Sequence, residues 1–109
     1  MWKHVSLFIV SLLIAVLAFN SCGVKPFPCY NTSIPADSIH VNDTVTFDAT
    51  CTDSGKEFFW EINSRTDSST YYGKTFTRSF DSTGTVEVYL YVLNGSKSAS
   101  RKDYLTILP

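Results

Sequence analysis

The stretch Thr83-Gly84-Thr85-Val86-Glu87-Val88-Tyr89-Leu90-Tyr91-Val92-Leu93-Asn94-Gly95-Ser96 decides the fold. Val86, Val88, Leu90 and Val92 fall on one side of it; Glu87, Tyr89 and Tyr91 fall on the other. A period of two in β-branched and aromatic residues predicts a half-buried strand. Gly84 opens the stretch, and Asn94-Gly95 closes it with a hairpin signal.

The neighbouring segments read as partners for this strand. On its C-terminal side, residues 98–108 give a last strand with Leu105 and Ile107 inward. On its N-terminal side, residues 74–80 give a strand with Phe76, Arg78 and Phe80 in one phase; Arg78 on that face predicts an edge position or a bulge. The polar run from Asn63 to Thr70 reads as a loop. Residues 57–63 alternate again, with Phe58, Trp60 and Ile62 on one face and Phe59 and Glu61 on the other, which puts Trp60 at the centre of the core. Residues 44–51 form a strand with Val45, Phe47 and Ala49 inward, preceded by a turn at Asn42-Asp43. A first strand starts at residues 29–32, and Pro35 confines it to an edge. About seven short strands with turn signals between them predict an all-β, immunoglobulin-like sandwich.

The first segment is of another kind. Met1-Trp2-Lys3-His4 is a short basic head, and residues 5–19 are apolar except for Ser6 and Ser11. That run is shorter than the ~20 residues a membrane-spanning helix needs, and it fits the helical apolar region of a secretory signal peptide. Asn20-Ser21-Cys22-Gly23 follows at once and resembles the lipobox of bacterial lipoproteins, although Phe19 and Asn20 stand where that family has Leu or Val and a small residue. The resemblance implies cleavage after Ser21 and a lipid on Cys22. The other reading of the same residues is an uncleaved anchor with an incidental cysteine. The expected organisation is a signal peptide over residues 1–21, a lipidated cysteine and linker over 22–28, and a sandwich domain over 29–109. Pro26 and Pro28 stiffen the linker. Six residues, 23–28, reach at most ~20 Å, so the domain is expected close to the membrane.

The sandwich segments resemble a second family, the polycystic kidney disease (PKD) repeat. Val41-Asn42-Asp43-Thr44-Val45-Thr46-Phe47 is similar to its opening, Phe58, Trp60 and Ile62 to its tryptophan strand, and Phe80, Gly84, Val86, Val88, Leu90, Val92 and Asn94 to its closing pattern. Asn63-Ser64-Arg65 replaces the family's Gly-Asp-Gly turn, so no role tied to that turn carries over. The resemblance implies that the third, sixth and last strands lie side by side. Their outward residues would then include Phe59, Tyr89, Tyr91 and Tyr104, bordered by Glu61, Glu87 and Lys102. Such a patch suits contact with a sugar or a protein; aromatic cross-strand pairs that only stabilise the sheet give the same pattern.

Little else in the sequence carries chemistry. The whole chain has 109 residues and a formal net charge of −1, and losing Lys3 with the signal lowers that by one more. Without a basic stripe, nucleic acid is not an expected partner. His40 is the single histidine after the signal, and the cysteines and histidines have no metal-ligand spacing, so no metal or other cofactor is expected. Asp37, Asp43 and Asp53 follow no calcium-loop pattern, and Glu61 and Glu87 read as a solvated face rather than an acid–base pair. Catalysis is not expected. With Cys22 lipidated, Cys29 and Cys51 are an even pair, at facing ends if the first two strands pair as an antiparallel meander, which favours a disulfide over free thiols. The chain stops at Pro109 as the last strand ends, so a pure spacer role is not expected. The expected function is protein or carbohydrate contact at the cell envelope by a lipid-anchored domain. The alternative is an envelope-assembly subunit with no soluble ligand.

Overall fold

The computed structural model describes residues 24–109. The expected signal peptide and Cys22 lie outside the described residues. Eight strands follow in order: β1 Asn31–Thr32, β2 Ile39–His40, β3 Val45–Asp48, β4 Glu57–Asn63, β5 Ser68–Tyr72, β6 Thr75–Arg78, β7 Gly84–Asn94 and β8 Lys97–Leu108. They form two facing sheets, β1-β3-β6 and β2-β8-β7-β4-β5. The fold is the expected all-β sandwich. No helix of the described residues is long and apolar enough to cross a membrane.

β7 is the centre of the larger sheet. It pairs with β4 from Glu57↔Leu93 to Asn63↔Glu87 and with β8 from Gly84↔Ile107 to Asn94↔Lys97, antiparallel on both sides. Gly95 and Ser96 are the two turn residues between β7 and β8, and Gly95 has φ 63°, where glycine carries no steric penalty. The Asn94 side chain reaches away from this turn. Its amide donates to the Val24 carbonyl at 2.9 Å and ties down the incoming chain.

Three features differ from the sequence reading. Ser68–Tyr72 is a strand at the sheet edge, not the second half of a loop. Its polar residues gave no apolar period because only Tyr71 of this strand packs against the core. Ile39–His40 adds a two-residue strand parallel to β8, too short to leave a period in the sequence. The turn at Pro35, where Ser38 N–H donates to the Pro35 carbonyl at 2.9 Å, carries the chain from the smaller sheet to the larger one. Finally, β1 is shorter than residues 29–32, and its register Asn31↔Asp48 brings Cys29 beside the end of β3. Arg78 does lie on an edge strand, β6. It avoids the core by laying its guanidinium over the Phe80 ring at 4.2 Å and reaching Asp67 at 3.6 Å.

The core is built from the inward phases of both sheets. Val45, Phe47 and Ala49 face Phe58, Trp60, Ile62, Val88, Leu90 and Val92, all buried. Trp60 is fully buried among three rings: Tyr30 at 5.2 Å, Phe76 at 5.0 Å and Phe47 at 5.9 Å, each in an edge-on arrangement. Its indole N–H donates to the Gly73 carbonyl at 2.9 Å, so the polar atom is satisfied without water. Gly73 has φ 106° in the β5–β6 turn, a conformation that favours glycine. Trp60→Ala is therefore expected to cost on the order of 3–5 kcal/mol, read as a shift in the denaturant midpoint. A variant that unfolds with its parent would put Trp60 outside the core.

Cys29 and Cys51 are joined by a disulfide that spans 22 residues. The link is reinforced on both sides. Thr52 Oγ1 accepts from the Cys29 N–H at 3.0 Å and donates to its carbonyl at 2.7 Å, and Phe27 and Asp53 bridge backbone to backbone. A loop of this length corresponds to about 3 kcal/mol of stabilisation in the loop-entropy model. The double variant Cys29→Ser, Cys51→Ser is expected to lose about that much in urea titration; an unchanged midpoint would mean that the two loops are held by other contacts.

Candidate functional site

The candidate site is the outer face of the larger sheet, and strand register determines its layout. Residues directly opposite in neighbouring strands share a face, so the pairings sort the outward side chains into rows. Glu57, Leu93 and Ser98 make the first row; Tyr72, Phe59, Tyr91 and Ser100 the second. Thr70, Glu61, Tyr89 and Lys102 make the third; Ser68, Asn63, Glu87 and Tyr104 the fourth. Phe59, Tyr89, Tyr91 and Tyr104 are therefore on one face, with Glu61, Glu87 and Lys102 among them, as the sequence reading expects.

They are not equally open. Tyr104 is 55 % exposed, whereas Phe59, Tyr89 and Tyr91 are only partly exposed because their rings stack on one another. Phe59 and Tyr91 lie parallel with centroids 4.6 Å apart, and Tyr89 continues the pile at 6.0 Å from Tyr91. Tyr72 extends the series at its outer end, tilted, with its centroid 6.3 Å from that of Phe59. At 79 % exposure Tyr72 is the most open ring of the patch. Sequence reasoning missed it because it lies in β5; the Thr70-Tyr71-Tyr72 run was the available signal.

Lys102 occupies the other end. Its ammonium lies 5.4 Å from the Tyr89 centroid, 5.2 Å from that of Tyr104 and 3.8 Å from Glu87. Hydrogen bonding to Tyr104 first and Tyr89 second, with the Glu87 charge adding to both, pushes its pKa above the ordinary lysine range. Lys102 therefore stays charged throughout the neutral range. Glu61 and Glu87 sit diagonally: Glu61 faces Tyr89, and Glu87 faces Asn63 on one side and Tyr104 on the other. Each carboxylate thus has a non-acidic neighbour directly across the strand.

Beside the ring pile the face dips into an open trough of about 630 Å³. Phe59 and Tyr91 form one wall, Ser98 and Ser100 the other, with Leu93 between them and Lys25 of the incoming chain at one end. The trough follows from the two-residue turn. Pairing Asn94 with Lys97 sets small serines opposite Leu93 and Tyr91 and leaves a step next to the rings. Sequence reasoning missed Leu93, Ser98, Ser100 and Lys25 as site residues. The available signal was the turn length, which gives the register of every pair in the hairpin.

The remaining candidates are placed elsewhere. His40 is in β2, where its backbone N–H donates to Asp43 at 2.9 Å, and its ring is exposed. Among the described residues no three His, Cys, Asp or Glu side chains converge as metal ligands. Asp37, Asp43 and Asp53 do not form such a group.

Replacing Tyr89 and Tyr91 together by Ser removes two of the four rings of the pile and leaves the inward phase untouched. The expected cost is about 2 kcal/mol, from lost cross-strand aromatic contact, with the near-ultraviolet signature of Trp60 retained. Loss of that signature would mean that the outer pile supports the core.

No protein-family model matches this chain, and no curated protein matches it. Among solved structures, one of carbohydrate-binding modules of promiscuous specificity from the β-sandwich superfamily is similar to it. The match has a TM-score of 0.63 at 21 % identity and covers 79 % of this chain. It covers 35 % of that structure's chain, so this protein corresponds to about a third of it. At that identity the likeness establishes the fold, a β-sandwich.

Proposed function

We propose that this domain is a non-catalytic carbohydrate-binding module, held at the cell envelope by a lipid on Cys22. One observation carries the binding reading: the trough on the outer sheet face sets an aromatic wall, Phe59 and Tyr91, against a hydroxyl wall, Ser98 and Ser100. A sugar ring has an apolar C–H face and a polar rim. The aromatic wall suits the first and the serines with Lys25 suit the second. An open trough rather than a closed pocket suits a segment within a longer glycan. The similar solved structure is described as a carbohydrate-binding module, which agrees with this reading without assigning a ligand here.

The PKD-like pattern and the lipobox-like Asn20-Ser21-Cys22-Gly23 supply the setting. PKD repeats in large extracellular enzymes serve as spacers or binding modules, and a lipid anchor would hold such a module at the membrane. Mass spectrometry of the mature protein is expected to find a lipid-modified Cys22 and no peptide from residues 1–21. An intact N-terminal segment would remove the anchor from the proposal and leave the trough untouched.

Binding is tested by screening the folded protein against immobilised polysaccharides and then repeating the best match with Tyr91→Ala and Phe59→Ala. Each truncation is expected to weaken binding by about tenfold or more, the effect of removing an aromatic anchor from a contact. A folded protein that retains no glycan, or truncations that bind as well as the parent, would favour the structural role, in which the rings serve only the sheet.

A further inference from the structure

The larger sheet has an unequal pair of sides at β8. On one side β8 pairs with β7 from Lys97 to Ile107 without a bulge. On the other side β2 covers only Ile107 and Leu108. The direction of the remaining backbone groups follows from two hydrogen bonds. Thr106 N–H donates to the Ala36 carbonyl at 3.0 Å, and the Leu108 carbonyl accepts from Val41 N–H at 2.9 Å, both on the side away from β7. In an antiparallel strand, N–H and C=O of one residue point to the same side, and alternate residues point to the same neighbour. Ser98, Ser100, Lys102 and Tyr104 therefore direct their N–H and C=O groups to the open edge. None of these groups has a backbone partner on that side among the described residues. They form four donor–acceptor sets along ~20 Å of strand.

A groove of about 310 Å³ runs beside this edge, where the two sheets part between β1 and β8. Tyr30, Asn31, Thr32 and Ala36 line one side, and Arg101 and Asp103 the other. Arg101 donates to Asp103 at 2.8 Å and lies 5.6 Å from the Tyr30 centroid. Burial first, and then the Asp103 carboxylate, push the Tyr30 hydroxyl above its ordinary range, so it remains a neutral donor at the groove. The exposed strand carries Lys97, Arg101 and Lys102 against the single acid Asp103.

We propose that the free edge of β8 is a docking site for an extended acidic peptide, which adds a strand to the larger sheet by pairing with Ser98, Ser100, Lys102 and Tyr104. Backbone pairing supplies the contact, and alternate side chains of the added strand lie over the polar groove. The charge selects the occupant. A second copy of this edge would bring two net-positive strands together, which like-charge cross-strand pairing disfavours, whereas an acidic strand complements the net charge. This surface adjoins the trough and shares Ser98 and Ser100 with it, but uses their backbone groups where the trough uses their side chains.

The test uses the isotopically labelled full chain in detergent and, as probe, a synthetic peptide of alternating threonine and glutamate. Hydrogen exchange at the amides of Ser98, Ser100, Lys102 and Tyr104 is expected to slow by about tenfold or more, as a new backbone hydrogen bond requires. The amides of Ala99, Arg101 and Asp103, already directed at β7, are expected to stay as they were. The same peptide N-methylated at alternate amides, or with lysine in place of glutamate, is expected to lose the effect. Ser100→Pro removes an edge-facing N–H without breaking the β7 ladder and is expected to lose it too. If that variant does not fold, the methylated peptide makes the same distinction. Unchanged exchange at the four amides with millimolar peptide, or equal binding by the methylated or lysine peptide, would overturn the proposal. A dimer that protects the same four amides without peptide would replace the acidic partner with a second copy.

Discussion

The buried indole of Trp60 is the contact on which the two sheets depend. Its ring bridges the layers, meeting Phe47 and Phe76 of the smaller sheet and Tyr30 just before β1. Its N–H reaches the Gly73 carbonyl and so fixes the turn that carries the chain from β5 to β6. The ring stack then runs outward: Phe76 lies parallel to Phe47 at 4.6 Å and to Tyr71 at 4.2 Å. One large side chain therefore sets the spacing of the sheets, the position of the edge strand and the closure of that flank. A small domain has few other means of doing this, because its core is limited by its length.

The two flanks of the sandwich are thereby unlike. The β5–β6 side is closed by Gly73, by Tyr71 on Phe76 and by Arg78 reaching Asp67. On the β1–β8 side the chain changes sheets at Pro35, the two-residue strand β2 covers only the end of β8, and Arg101 over the Tyr30 ring spans the gap. What remains there is a stretch of β8 that β2 leaves uncovered.

Strand phase was legible wherever a strand has one apolar and one polar face. β4 and β7 alternate strongly, so their inward valines and aromatics and their outward Phe59, Tyr89 and Tyr91 follow from period alone. β5 was not legible, because at a sheet edge serine and threonine meet water on most sides and show no period. β2 is too short for any period. The outer patch was legible as a set of residues but not as a surface. Exposure depends on how the rings of Phe59 and Tyr91 settle against each other, and alternation does not encode ring packing. The trough depends on register across the β7–β8 turn, which local sequence specifies only through the turn length.

The entry of the chain into the domain has a mechanical consequence. Val24 is held by the Asn94 side chain, Phe27 bridges Asp53, and Cys29 is bonded to Cys51, all within a few residues. Tension applied through residue 24 would meet the Asn94 amide first, then the backbone bridge, and then a covalent bond. From Cys51 the load passes directly to the chain beyond β3, bypassing the two-residue strand β1, which would otherwise peel first. Pulling would thus shorten the noncovalent grip at the entry by a few residues and leave the sandwich beyond the disulfide bearing force as one body.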